Sequence, residues 1–323
     1  MRRQWMGAMA WTVLTAAGML GVGMAAASCS GKESVTCGPG TSPVNGQCVA
    51  QDGGTTQEAS LDAGADTQAD VYSPCPRGRG PDMAQIPLQP DAGYGLWDGG
   101  TYVPEAGAYY CIDTTEVTQA QYAQFLSAKG SDTSGQIAEC AGNASYEPST
   151  ADGGCGTGNF TPSATPNQPV VCVNWCDAVA FCQWAGKHLC DDIGGGSGGS
   201  EWNYACANGP ANYDEPYGGD KPITGACVDK AYPDGGKPPV GPLDVGSAPK
   251  CRGLTAPYSQ VVDLMGNVAE WIDATWSPDP KHPHVVLGGG YDIPPTTCSL
   301  SALPVPGGLD AAYADVGFRC CAL

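Results

Sequence analysis

Apolar residues recur at helical spacing in the segment 118–129 (TQAQYAQFLSAK), between residues that begin and end helices. Tyr122 and Phe125 fall on one face of such a helix, as packing against a core requires. Thr118 is followed three residues later by Gln121, the pairing of a capping box, and a glycine follows the segment. The pattern therefore predicts a helix over 118–129.

Two further segments carry helical patterns. Residues 175–185 follow Asn174, which is a favourable N-cap, and Phe181 and Cys182 contribute to an apolar surface. Residues 201–207 (EWNYACA) are long enough for a short third helix. The chain therefore contains a few short helices.

Glycine and proline interrupt the remaining pattern. The 47 glycines and 28 prolines make up about a quarter of the 323 residues, and only short β-like runs such as 284–287 (HVVL) stand between them. The 8 tryptophans and 14 tyrosines exclude a wholly disordered chain. The predicted fold class is α+β, loop-rich with little regular secondary structure.

Charge and cysteine content restrict the function. The 14 Lys and Arg stand against 33 Asp and Glu, a net charge of −19, which excludes nucleic acid as a partner because phosphate contacts need clustered basic residues. The 17 cysteines are typical of an oxidising compartment, where they form disulfides. An exported, disulfide-rich protein is predicted.

The N-terminus indicates the route of export. Two arginines precede an uncharged, mostly apolar stretch, 5–27, and small residues lead directly to Cys29. This resembles a bacterial lipoprotein signal, so residues 1–28 are predicted to be a signal peptide and Cys29 the lipidated residue. Ser30 favours the outer membrane or cell surface. An ordinary cleaved signal and a retained transmembrane anchor are the alternatives.

Residues 29–74 form a second region. Cys37 and Cys48 bracket a small loop that a disulfide would close, and the following stretch to about residue 72 has no basic residue. Because such a stretch buries little apolar area, it is predicted to be a flexible acidic tether. Aromatic residues and cysteines then recur through 75–323, which is predicted to be one domain.

Six segments of this domain resemble the formylglycine-generating enzyme family, also called the sulfatase-modifying factor family. They occur in the family's order along the chain, which makes the resemblance specific. The segments are CIDTTEVTQAQY (111–122), PVVCVNWCDAVAFCQWAGK (169–187), EWNYAC (201–206), DLMGNVAEW (263–271), LGGGY (287–291) and GFRC (317–320). The resemblance implies a fold related to C-type lectins.

The resemblance also implies an activity. Members of the family oxidise a cysteine within a Cys-x-Pro-x-Arg sequence to formylglycine with O₂, and they hold copper(I) between two thiolates after the "GGS" motif. In one alignment Ile293 takes the place of the first thiolate and Cys298 that of the second, while Trp271 matches a tryptophan near the oxygen site. Isoleucine cannot bind a metal, so the copper pair is incomplete.

A second alignment is open for Cys298. It matches Cys298 to a family cysteine that is bonded to the cysteine of the third segment, here Cys206, and by the same resemblance Cys182 pairs with Cys320. Both alignments leave at most one copper thiolate, so copper is not expected. A thiolate at Cys298, with Trp271 beside it, remains the catalytic alternative.

Calcium is the other cofactor that the resemblance implies. By position its ligands would be Gly266, Val268 and Glu270, since backbone carbonyls and a carboxylate suit this hard cation. The alternative is that Glu270 only accepts hydrogen bonds. His282 and His284, on either side of a proline, are too sparse for an iron site and are predicted to be exposed in a loop.

These observations favour a surface-anchored, non-catalytic binding or structural module of the family. Its partner would be an unidentified protein or glycan, and its membrane contact would be the lipid anchor. The alternative is a formylglycine-generating oxidase. Because a fold does not determine function, the choice depends on whether Cys298 carries a thiol.

Overall fold

The structure, a computed structural model, describes most of the chain after residue 75 and two strands before it. The predicted signal peptide 1–28, Cys29 and Cys37 lie outside the described residues, as does the side chain of Cys48. No helix in the described part has the length and apolar character to cross a bilayer. The described ranges are 41–44, 47–50, 75–88, 94–95, 101–102, 107–151, 153–191, 200–233, 237–275, 284–298, 303–304 and 308–323.

The chain divides into two compact units, Met1–Thr67 and Gln68–Leu323. In the first unit, β1 (Thr41–Val44) and β2 (Gln47–Ala50) form an antiparallel hairpin. The described strands of the second unit are β3 (Met83–Pro87), β4 (Tyr94–Gly95), β5 (Thr101–Tyr102), β6 (Tyr109–Asp113), β7 (His188–Leu189), β8 (Ala269–Thr275), β9 (His284–Leu287), β10 (Leu303–Pro304), β11 (Val316–Phe318) and β12 (Cys320–Ala322).

The three predicted helices are confirmed within a residue at each end: α1 (Gln119–Lys129), α2 (Trp175–Trp184) and α3 (Glu201–Cys206). Thr118 and Asn174 each form the N-cap of a reciprocal capping box. These contacts join residues three apart, and local sequence therefore specifies them.

Two four-stranded sheets organise the second unit. One has the order β3-β6-β12-β7 and is antiparallel throughout. The other has the order β10-β9-β8-β11, in which only the β8–β11 pair is parallel. The predicted α+β, loop-rich class is confirmed.

Side chains on successive strand positions enter two different core clusters. On β8, Trp271 packs with the aromatic residues of α1 and α2, whereas Ile272 packs into the cluster around Trp202. The same alternation on β12 sends Cys320 and Cys321 to opposite clusters. Successive side chains of a strand point to opposite faces, so neighbouring cysteines acquire separate partners.

Disulfides join segments that are distant in sequence. All fourteen cysteines whose side chains the structure describes are bonded. The pairs are Cys75–Cys111, Cys140–Cys176, Cys155–Cys172, Cys182–Cys320, Cys190–Cys321, Cys206–Cys298 and Cys227–Cys251.

The prediction that His284 lies in an exposed loop is wrong. His284 belongs to β9, is 4% exposed and stacks on Trp175 with ring centroids 3.6 Å apart. Every residue of β9 is buried, and burial lowers the pKa of His284 to about 4. His282 lies outside the described residues.

Asp177 at the start of α2 predicts a pH dependence of stability. Its carboxylate is 3% exposed and accepts hydrogen bonds from the Asn174 backbone and the Asn143 amide. Burial raises the pKa of Asp177 from 3.8 to about 7. Because the folded state then binds this proton more tightly, stability is expected to rise as pH falls from 8 towards 4, by on the order of 1.4 kcal/mol per unit of pKa difference.

Urea unfolding of the wild type and of Asp177→Asn at pH 8 and pH 5 tests this expectation. Between pH 8 and pH 5 the variant is expected to gain less free energy of unfolding than the wild type. Its absolute stability is also expected to be lower, because the helix cap is weakened. Asp263 and Asp273, whose pKa values burial raises to about 6, contribute in the same direction to both proteins. Equal gains in both proteins would contradict the assignment to Asp177.

Candidate functional site

The segment that resembles the family's copper-binding region follows β9 as a glycine turn. Gly289 has φ +70°, and a Cβ there would lie 2.8 Å from Ile293 Cδ1 and 2.9 Å from Thr296 Cγ2. A side chain at this position would therefore displace the residues that follow it. The Ile293 side chain lies against the turn and offers no atom that can bind a metal.

The sulfur, the backbone N–H and the carbonyl of Cys298 each have a bonding partner. Its sulfur is bonded to Cys206 Sγ at 2.05 Å, its backbone N–H donates to Asp214 O at 2.8 Å, and its carbonyl accepts from Asn203 Nδ2 at 2.6 Å. The residue is 1% exposed. Cys298 thus has no thiolate in this structure and connects the segment after the glycine turn to α3.

Trp271 and Cys298 pack in different core clusters. The Trp271 side chain packs in the cluster of α1 and α2, its Nε1 donates to Val173 O at 3.0 Å, and it is 1% exposed. Cys298 belongs to the other core cluster. The oxygen-site role of Trp271 stays a prediction.

The other predicted pair, Cys182 and Cys320, forms a disulfide at 2.03 Å. It connects the last turn of α2 to β12 across 138 residues of sequence. Both cysteines are fully buried. This bond lies in the core and has no role at a surface site.

Glu270 forms a buried ion pair with Arg319. The guanidinium donates to both carboxylate oxygens at 2.7 Å, and Trp202 Nε1 donates to one of them at 2.9 Å. Glu270 and Arg319 are both 0% exposed. Bidentate pairing of this kind is strong and geometrically specific.

Two further buried carboxylates lie close to this pair, and sequence reasoning missed both. Among the described residues, Glu116 Oε2 and Asp263 Oδ1 have no hydrogen-bond partner. Burial and neighbouring carboxylates raise the pKa of Glu116 well above its usual range, and burial raises that of Asp263 to about 6. The charge of Arg319 acts on both carboxyl groups, and that of Arg252 acts in addition on Asp263.

This acid cluster, Glu116, Asp263 and Glu270, borders the turn at which the sequence predicted calcium. Asp263 opens the segment that contains Gly266 and Val268, and Asn267 of that turn donates to Glu116 Oε1 at 3.0 Å. The unpaired oxygens belong to Glu116 and Asp263, whereas Arg319 and Trp202 already occupy those of Glu270. The direct ligand role of Glu270 stays a prediction. The available signals were the position of Glu116 in the "EVT" motif and that of Asp263 at the start of the "DLMGNVAEW" segment.

These features define a loop-rich, disulfide-stapled α+β domain that retains the family's motifs and lacks a thiolate pair in the described part of the copper-binding segment. A model of the sulfatase-modifying factor enzyme 1-like domain matches residues 104–322. Because this match covers most of the chain, the protein belongs to the sulfatase-modifying factor family, whose fold is that of formylglycine-generating enzyme.

The similar proteins include enzymes named formylglycine-generating enzyme and one protein named as inactive. Formylglycine-generating enzyme of Mus musculus is 30% identical over 48% of this chain and 44% of its own length. Inactive C-alpha-formylglycine-generating enzyme 2 of the same organism is 28% identical over 47% of this chain and 48% of its length. The chain thus spans about half the length of these relatives. Formylglycine-generating enzyme of Mycobacterium tuberculosis is 26% identical over 66% of this chain and 87% of its length.

Two solved structures are similar in fold. PvdO from Pseudomonas aeruginosa has a TM-score of 0.48 and 20% identity, over 75% of this chain and 94% of its own. CarF has a TM-score of 0.45 and 18% identity, over 75% of this chain and 97% of its own.

Proposed function

We propose that this protein is a non-catalytic member of the sulfatase-modifying factor family and acts as a binding or structural module. The observation that carries the proposal is the Cys206–Cys298 disulfide, together with isoleucine at position 293. Copper(I) in this family needs two thiolates, and this segment supplies none in the described state.

The module is proposed to act outside the cell, held at the membrane by lipid on Cys29. The lipoprotein-like N-terminus and seven disulfides in the described residues support this location. The acidic region 49–72 would then separate the domain from the membrane surface. Its partner is a protein or a glycan rather than nucleic acid, given the net charge of −19.

The proposal is tested by incubating the purified protein with copper(I), O₂ and a peptide that contains Cys-x-Pro-x-Arg. Mass spectrometry is expected to find no aldehyde above a copper-only background. The variant Ile293→Cys is expected to remain inactive, because it adds a single thiol while Cys298 stays bonded to Cys206.

Two outcomes would contradict a non-catalytic function. One is aldehyde formation by the wild type, and the other is a free thiol at Cys298 in peptide maps made without reduction. Blocking thiols with iodoacetamide before the assay supplies the control. An activity that requires a thiol on the protein is lost after blocking, whereas copper-catalysed oxidation of the peptide is unchanged.

Calcium is proposed as a structural ion at the acid cluster. Glu116 and Asp263 would be its ligands, together with the backbone of Gly266 and Val268. The unpaired oxygens of Glu116 and Asp263 support this assignment. No reaction step is assigned to this ion.

A further inference from the structure

One of the seven described disulfides reaches the surface of the domain. Among the cysteines whose side chains the structure describes, Cys155 is partly exposed, whereas every other one is buried and at most 5% exposed. Its partner, Cys172, is 0% exposed. Because a thiolate attacks a disulfide only at a sulfur that it can reach, Cys155 is the described cysteine at which such attack is favoured.

The loop that carries Cys155 is held to the domain by few contacts. Residues 153–158 include four glycines, and Gly153, Gly154, Thr157 and Gly158 are exposed. The Ala314 N–H donates to Gly153 O at 3.0 Å, and Cys155 packs at the edge of a small core cluster formed by Val171, Cys172 and Val268. Little apolar burial and exposed backbone hydrogen bonds are features of segments that open at low cost.

Cys172 has a strained backbone conformation. Its φ is +63°, in the left-handed region that cysteine rarely adopts and that persists only where the surroundings impose it. The Cys172 N–H donates to Tyr313 O at 2.9 Å, and its carbonyl accepts the Ser149 N–H at 2.7 Å. The bond to Cys155 is a third constraint, and its cleavage frees Cys172 to relax. Strained and exposed disulfides are the ones that thiols reduce readily.

We propose that the Cys155–Cys172 disulfide is a thiol-exchange site, at which the thiolate of an external thiol attacks Cys155. A bond forms between the attacking sulfur and Cys155 while the Cys155–Cys172 bond breaks, and Cys172 leaves with the electron pair and takes a proton from solvent. A second thiolate then attacks the external sulfur and releases Cys155, which is protonated in turn. Two external thiols are thus oxidised to one disulfide, and the protein pair is reduced to two thiols.

This exchange goes beyond the proposed binding function and does not depend on it. A partner with an accessible thiol would be held covalently for as long as the mixed disulfide at Cys155 lasts. Reduction would also release the loop 153–158 from Ala314. The six other described pairs join buried cysteines, so the rest of the domain is expected to stay closed under the same conditions.

The test is partial reduction of the full-length native protein with reduced glutathione at pH 8. The reaction is quenched with acid, the free thiols are alkylated after denaturation, and the peptides are mapped by mass spectrometry. Cys155–Cys172 is expected to be reduced at least about tenfold faster than any other described pair. A glutathione adduct is expected on Cys155 and not on Cys172. Hydrogen exchange at the Ala314 amide is expected to become faster after this reduction, because its acceptor belongs to the loop.

Two matched variants separate the two sulfurs, since each loses the same bond. Cys172→Ser leaves Cys155 as a thiol, and Cys155→Ser leaves Cys172. Under native conditions iodoacetamide is expected to label Cys155 at least about tenfold faster than Cys172. Where near-UV circular dichroism shows that a variant does not fold, the order of reduction in the wild type decides by itself. Earlier or simultaneous reduction of another described pair, an adduct on Cys172, or equal labelling rates in folded variants would overturn the proposal.

Discussion

Arg319→Met is expected to cost about 3–5 kcal/mol of folding stability, enough to leave much of the protein unfolded. The guanidinium donates to Glu270 at two positions and to the carbonyls of Asp113 and Val262 at 3.0 Å each. Methionine fills much of the space but supplies neither charge nor donors. Glu270 would then lose its ion-pair partner, and two carbonyls would lose a donor.

Urea unfolding monitored by circular dichroism measures the effect. Arg77→Met removes the same charge from an exposed position and is expected to change stability by less than about 0.5 kcal/mol. The double variant Arg319→Met with Glu270→Met is expected to be more stable than Arg319→Met alone, because it no longer leaves the Glu270 charge unpaired. A single variant as stable as the control would show that the guanidinium is not needed to balance the buried acids.

Removing the Cys182–Cys320 disulfide with paired alanine substitutions is expected to cost about 2–5 kcal/mol. The bond closes 138 residues of chain, and both cysteines are fully buried. The neighbouring Cys190–Cys321 bond still joins the same two regions, so in the unfolded chain Cys182–Cys320 closes only a short additional loop of roughly ten residues. In the chain-entropy account its cost should therefore not exceed that of removing Cys155–Cys172, which closes 17 residues.

Urea unfolding of the two double variants under oxidising conditions provides the comparison. Intact-mass analysis after alkylation shows that each variant has lost one disulfide and that the other pairs are retained. A cost for Cys182–Cys320 well above that for Cys155–Cys172 would contradict the chain-entropy account and indicate that native-state packing around the buried cysteines sets the difference.

Helices and turns were predictable because their determinants are local. Thr118 with Gln121, and Asn174 with Asp177, form capping boxes whose members are three residues apart, so the helix starts followed from sequence. The burial of His284 was not predictable from the sequence. An adjacent proline and histidine suggest a loop, but β9 is covered on both faces, and tertiary packing overrides that local preference.

The candidate site was predictable only in part. The motifs identified the family and located Gly266, Val268 and Glu270 on one turn. They did not distinguish a thiolate at Cys298 from a bond to Cys206, because the segment aligns in two ways. The partial exposure of Cys155 left no sequence signal, since composition does not show which of the 17 cysteines tertiary packing covers.

The sequence by itself determined the family, the α+β loop-rich class, the helix starts and an acidic, cysteine-rich composition. These follow from residue content and from contacts within a few positions. Tertiary structure alone decided the partner of Cys298, the pairing of Arg319 with Glu270 and the partial exposure of Cys155. Cys206 and Cys298 are 92 residues apart, and Arg319 and Glu270 are 49 apart. Packing between sheets and loops sets such encounters, and no local periodicity encodes them.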